Sequence, residues 1–277
     1  MKDSERSFVD FDSCLNSIIR NRSFDMELKK FIAEGDIYDV YEDDDRSIRV
    51  YKKPEYKEKC LYAALTHARC ETTMVNTNIK VPVLHEVGVV DGKWAISHDW
   101  IKGKTLEQLM AENPDKTDMY IDRMIDIQME IHAQFMPLLS KLKDKMARQI
   151  KSIGQIDEIK KYELLTRLDS MPKHIKLCHG SFEPKNIIFN DDGTYVINWS
   201  NARQGNASAD VARTYMLLCL RHPDIADKYL DKYCLKSGTS KMYVQQWLPI
   251  VAAAQLIKNK PEEHDLLMRW IDVVDYS

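Results

Sequence analysis

The sequence predicts an α+β chain in which a strand-rich first hundred residues precede a mainly helical remainder. Three observations carry that expectation. Alternating apolar residues between short turn signals fill 31–51 and 81–100. Apolar residues at three- and four-residue spacing recur from Thr117 onward. One strand–loop–strand–turn–strand stretch, Leu177 to Trp199, interrupts the helices.

In chain order, residues 1–29 carry one weak helical signal, Phe11, Leu15 and Ile18. The next segment, FIAEGDIYDVYEDDDRSIRVYKK, reads as three strands. Apolar alternation marks Phe31 to Ala33, Gly35 sits in a loop, Val40 and Tyr41 lie in the second strand, Asp43 to Asp45 turn, and Ile48 and Val50 mark the third. Residues 54–77 lack glycine and read as helix. Val81 to Val90 and Lys93 to Trp100 form a hairpin, because Asp91-Gly92 suits a two-residue turn.

Thr105 to Gln108 has the spacing of a capping box. Beyond Thr117, the stripe Met124, Ile127, Ile131 and Phe135 predicts one buried helical face, with His132 beside it as a hydrogen-bonded core histidine. Further helices are expected at about 138–151 and 156–170, and again from Pro223 onward.

The chain has 277 residues, 44% hydrophobic and 30% charged, which is ordinary for a soluble globular protein. A net charge of −3 supplies no basic field, so no nucleic-acid partner is expected. The longest apolar run, Ile250 to Ala254, is far shorter than a bilayer span, and the first 25 residues contain no apolar signal core; no membrane partner and a cytoplasmic location are expected. Six cysteines form no C-x-x-C pair and eight histidines no ligand cluster, so reduced thiols are expected.

The central stretch reads LCHGSFEPKNIIFNDDGTYVINW. Leu177 and Cys178 end one strand, His179 to Asn186 form a polar loop, Ile187 to Phe189 start a hairpin, and Asp192-Gly193 is the expected turn into Tyr195 to Ile197. This arrangement places His179, Ser181, Asn186 and Asn198 on short supports facing one another.

On these residues the chain resembles the aminoglycoside phosphotransferase and choline kinase group of the protein-kinase-like fold. The family pattern is H-G-D-x-x-x-x-N followed by I-D-W; here the loop is His179-Gly180-Ser181-Phe182-Glu183-Pro184-Lys185-Asn186 and the later strand is Ile197-Asn198-Trp199. The frame is kept and both acids are replaced. What the resemblance implies is a two-lobed fold, a small antiparallel-sheet lobe over 1–100 and a larger helical lobe over 101–277.

The resemblance also implies the site. His179, Ser181 and Glu183 become the candidates at the catalytic positions, with Glu183 a possible substitute carboxylate. Asn186 and Asn198 fall at the metal positions. Gly35, Arg49, Glu71 and Lys185 become the candidate nucleotide contacts, Arg49 standing where the family carries a lysine and Glu71, with Glu58 as alternative, as its partner on the helix. Asp210, in NASADVARTY, matches an acid that braces the catalytic loop.

The departures govern the functional expectation. A neutral hydroxyl is a poor proton acceptor, and two amides carry no formal charge for Mg²⁺. ATP or another nucleotide is therefore expected as ligand, with Mg²⁺ held weakly. The leading reading is a catalytically impaired phosphotransferase-family protein, or pseudokinase, that binds a nucleotide or small polar ligand. The alternatives are an active ATP-dependent kinase acting on a small-molecule hydroxyl, and a scaffold that needs no nucleotide.

Overall fold

A computed structural model describes residues 26–272. The signal at Phe11, Leu15 and Ile18, together with Cys14, lies outside the described residues. Two compact units appear. The first takes residues 26–64 and 83–100; the second takes 65–82 and 101–272.

In the first unit, β1 (Lys30–Glu34), β2 (Tyr38–Asp43), β3 (Arg46–Tyr51), β5 (Leu84–Val90) and β6 (Lys93–Asp99) form one antiparallel sheet in the order β1-β2-β3-β6-β5. Both tight hairpins use left-handed turn residues: Asp44 has φ 54° in one, and Asp91 and Gly92 have φ 50° and 74° in the other. That twist matches the strands it joins. Strand alternation divides the buried residues between two clusters, Met26, Ile48, Val50 and Ala95 in one, and Tyr51 and Ile96 with Cys60, Ala63 and Ala64 in the other.

Cys60, Ala63 and Ala64 come from the first turns of α1 (Lys57–Met74). The rest of that helix belongs to the second unit, where Cys70, Met74, Ile79 and Val81 join the main core. The division is thus not a plain 1–100 and 101–277 split: Cys70, Met74, Ile79 and Val81 are buried with the helices, although Leu65 and Val75 stay exposed.

The second unit continues with β4 (Ile79–Lys80), β7 (Lys104–Thr105), α2 (Leu106–Glu112), α3 (Thr117–Ala133), α4 (Leu142–Ser152), α5 (Glu158–Ser170) and β8 (Lys176–Cys178). After these come β9 (Ile187–Asn190), β10 (Gly193–Val196), β11 (Arg203–Gly205), α6 (Ala207–Arg221), α7 (Pro223–Ser237), α8 (Lys241–Gln245), α9 (Leu248–Leu256) and α10 (Pro261–Ile271). Four strands pair in the order β4-β10-β9-β7, and β8 pairs antiparallel with β11. Helix α9 is buried along its whole length, with α4, α6 and α10 packed around it. The capping box at Thr105 and Gln108 is formed in both directions.

Three local expectations are corrected. Phe135 does not extend the buried stripe: α3 ends at Ala133, Gln134 turns extended, and Phe135 is 62% exposed while Met124, Ile127 and Ile131 are buried. The next helix starts at Leu142 rather than near 138. The 187–196 hairpin turns at Asp191 and Asp192, one residue earlier than expected. Asn190 decides that, its side-chain oxygen accepting the amides of Asp192 at 3.0 Å and Gly193 at 3.1 Å. Among the described residues, no helix is long and apolar enough to cross a membrane.

Candidate functional site

The polar loop between β8 and β9 is built around one buried carboxylate. Asp210 lies in the first turn of α6, and its oxygens accept the amide of His179 at 3.0 Å, the amide of Gly180 at 2.8 Å and Nε2 of His132 at 3.0 Å. Burial opposes its charge. The His132 hydrogen bond, the two histidines and the Gly180 amide outweigh that and hold its carboxyl below the usual range. His132 also bonds Tyr233 through Nδ1, at 3.2 Å.

Gly180 has φ 76°, and a Cβ there would meet the carbonyl oxygen of Asn201 at 2.6 Å. Only glycine fits both the conformation and the space. The backbone then turns so that His179 faces inward. Its ring is fully buried against Trp199, at a centroid distance of 4.6 Å, and Phe182, at 5.9 Å. Nε2 donates to the Ile197 carbonyl at 3.1 Å and Nδ1 accepts the Ser181 amide at 3.2 Å, so both ring nitrogens are committed to backbone. Burial pushes its pKa down and keeps the ring neutral.

Ser181 is buried. Its hydroxyl donates to the Gly180 carbonyl at 2.8 Å and accepts from Nδ2 of Asn201 at 3.1 Å. Asn186 closes the loop, donating through Nδ2 to the Ser181 carbonyl at 2.7 Å, while its own carbonyl accepts the Ile197 amide at 2.9 Å. Asn198 begins a short 3₁₀ turn with φ 70° and ψ 48°. Asparagine and aspartate tolerate that left-handed conformation where most residues do not, so the backbone here suits either. Its side-chain oxygen accepts from Ser200 at 3.4 Å.

Glu183 is buried and ion-paired with Arg221, and Lys185 stands at 3.9 Å from the same oxygen with an exposed side chain. Gly35 lies between β1 and β2, where a Cβ would meet the Tyr38 carbonyl oxygen at 2.5 Å. Arg49 sits on β3 with its guanidinium over the Tyr38 ring, 5.3 Å from the centroid. Glu71 lies on α1, within the portion that belongs to the second unit. Loop residues His179 to Asn186, with Asn198 and Asp210, are therefore brought together in the second unit; Gly35 and Arg49 are in the first.

Sequence reasoning missed four residues next to the loop. Asn201 bonds Ser181; Lys145, on α4, donates to Oδ1 of Asn201 at 3.0 Å; Arg213 donates through Nε to the Gly180 carbonyl at 2.5 Å; and Arg221 holds Glu183. Only the i, i+3 spacing of Asp210 and Arg213 on one helix gave any hint, since Lys145 lies 36 residues from Ser181 and reads as part of a charged helical face.

The model of a family described as "Phosphotransferase enzyme family" (APH) matches residues 62–244, two thirds of the chain. The chain belongs to this family. Among solved structures, a phosphotransferase of known kind, a thermostable mutant of aminoglycoside phosphotransferase APH(4)-Ia, has a similar fold, with 12% identity, a TM-score of 0.63 and coverage of 89% of this chain and 93% of that one. Choline kinase LicA from Streptococcus pneumoniae is comparable, with 11% identity, a TM-score of 0.62 and coverage of 94% and 98%. The GDP complex of aminoglycoside 2'-phosphotransferase-IIIa has 16% identity, a TM-score of 0.58 and coverage of 94% and 97%. No curated protein sequence matches the chain. The two-lobed, kinase-like α+β class follows from these likenesses together with the sheet and helices described above.

For a phosphotransferase-family site, the donors at Asn186 and Asn198 do not fit a dedicated Mg²⁺ site. Mg²⁺ takes hard oxygen ligands and usually one or two carboxylates, whereas both side chains are neutral amides, and among the described residues no group of three His, Cys, Asp or Glu could hold a metal. The acids nearby are otherwise engaged, Asp210 by the loop amides and His132, Glu183 by Arg221.

Proposed function

We propose that this phosphotransferase-family chain binds a nucleotide or a small polar ligand and turns it over slowly or not at all. The observation that carries the reading is the state of Ser181. Its hydroxyl stands where the family pattern has a proton-accepting acid, and it already donates to one carbonyl and accepts from one amide. A hydroxyl so engaged can orient a neighbour but cannot take a proton near neutral pH. General-base assistance of this kind is worth roughly 10² to 10⁴ in rate.

The loop nonetheless keeps its frame. Side chains of Asp210, His179 and Asn186 hydrogen-bond the loop backbone and tie it into one turn, which supports retention of a binding surface. Some fold neighbours were crystallised with AMP-PNP and hygromycin B, with ADP and hygromycin B, or with AMP, which makes a nucleotide the first ligand to test.

Thermal unfolding with ATP, with and without Mg²⁺, separates the readings. Stabilisation that does not need the metal is the expected result. Metal-dependent stabilisation with ATP consumption would mark an active kinase, and no stabilisation would mark a scaffold.

A further inference from the structure

Three cations bond the loop or its neighbour Asn201, namely Lys145, Arg213 and Arg221, and the charges of Arg203 and Lys258 also act on Lys145. Three carboxylates face them, and each is already engaged. Asp210 holds the loop amides and His132; Glu183 pairs with Arg221; Glu263 accepts from Gln255 at 2.6 Å and lies 4.0 Å from Arg221. Lys145, Arg213 and Lys258 form no ion pair among the described residues. Arg213 instead bonds the Gly180 carbonyl and, at 3.2 Å, the side-chain oxygen of Gln255.

Such crowding of like charge is costly unless something offsets it. Its effect is visible on both lysines. Burial first, then the charges of Arg203, Arg213 and Lys258, pushes Lys145 well below its ordinary pKa. Lys258 is exposed, yet partial desolvation by its neighbours, followed by the charges of Arg213 and Arg221, brings it down to about 8. Lys145 is also placed at the reacting end of the loop, since Asn201 bridges its ammonium to the Ser181 hydroxyl by two hydrogen bonds of 3.0 and 3.1 Å.

We propose that the small polar ligand of this loop carries an anionic group, a phosphate or carboxylate, that docks against the Lys145 ammonium beside Ser181. The inference names the class of the ligand assigned in the preceding subsection and rests on it for the ligand's place. An oxyanion there would give Lys145 a counter-charge and draw on donors that the protein leaves without carboxylate partners. A cationic ligand would meet repulsion from the same residues. The nucleotide's terminal phosphate has the same chemistry as an anionic group on a separate ligand, and the test distinguishes the two.

Isothermal titration of the full chain with glycerol 3-phosphate, inorganic phosphate and choline, each with and without saturating ADP, reads the site directly. The expected result is glycerol 3-phosphate binding at least tenfold tighter than choline, unchanged by ADP, and weakened at least tenfold in Lys145→Met and several-fold in Lys258→Gln. Lys258→Gln changes an exposed side chain, so it remains informative if Lys145→Met fails to fold. Equal or tighter binding of choline, or phosphate binding indifferent to both substitutions, overturns the proposal. Loss of phosphate binding when ADP is present also overturns it, by assigning the cations to the nucleotide. If ADP does not bind while glycerol 3-phosphate still depends on Lys145, the nucleotide reading fails and the anion site stands.

Discussion

The carboxylate of Asp210 accepts the Gly180 amide at 2.8 Å, across 30 residues of sequence, and so fixes the left-handed turn that orients the loop. Through its other oxygen it also takes the His179 amide and the His132 ring. A single acid thereby satisfies three buried donors. Asp210→Asn removes the charge and one acceptor, and is expected to cost about 2–4 kcal/mol of stability. Urea unfolding should give a lower midpoint with an unchanged slope.

Gly180→Ala tests the other side of that turn. The added methyl would lie 2.6 Å from the Asn201 carbonyl oxygen, in a backbone conformation that side chains rarely adopt. A loss of roughly 1–3 kcal/mol is expected from the strain alone, and a variant as stable as the wild type would contradict the turn described here.

The pH dependence of stability follows from two buried groups. His179 has its pKa lowered from 6.5, so below that value the unfolded chain binds a proton that the folded ring refuses. Its contribution is therefore present above about pH 6.5 and lost as the pH falls towards the lower folded value. Asp210 has its pKa lowered from 3.8; its contribution is present above that value and lost as the pH falls through the lower folded value. Unfolding free energy should decline in the first step as the pH falls below about 6.5, and His179→Gln should flatten that step without altering the acid one.

Much of the fold was legible because hairpins and caps are local. Asp91-Gly92 takes the left-handed turn its composition asks for, and Thr105 caps a helix with Gln108 three residues on. The 187–196 hairpin was misplaced by one residue because Asn190 captured two amides, a side-chain effect that outweighs the pull of the glycine. At the site, the H-G-x-x-x-x-x-N frame was readable from residue types at fixed spacing. Lys145, Asn201 and Arg213 were not. Their roles depend on where α4 and α6 pack, which no window of sequence reports.

Glu183, the substitute carboxylate that the resemblance offers, pairs with Arg221, which sets a clear expectation. Glu183→Gln should weaken that contact and cost about 1–3 kcal/mol, while any ATP turnover stays within twofold of the wild type. A tenfold fall in turnover with stability unchanged would instead assign Glu183 to the chemistry.

The central claim concerns charge at positions 181 and 198. Steady-state ATP consumption in the presence of Mg²⁺, measured for the wild type and for Ser181→Asp/Asn198→Asp, tests it most directly. The account predicts wild-type turnover near the buffer background and a rise of about 10²-fold or more when the two carboxylates are installed. Brisk Mg²⁺-dependent turnover by the unaltered chain would contradict it.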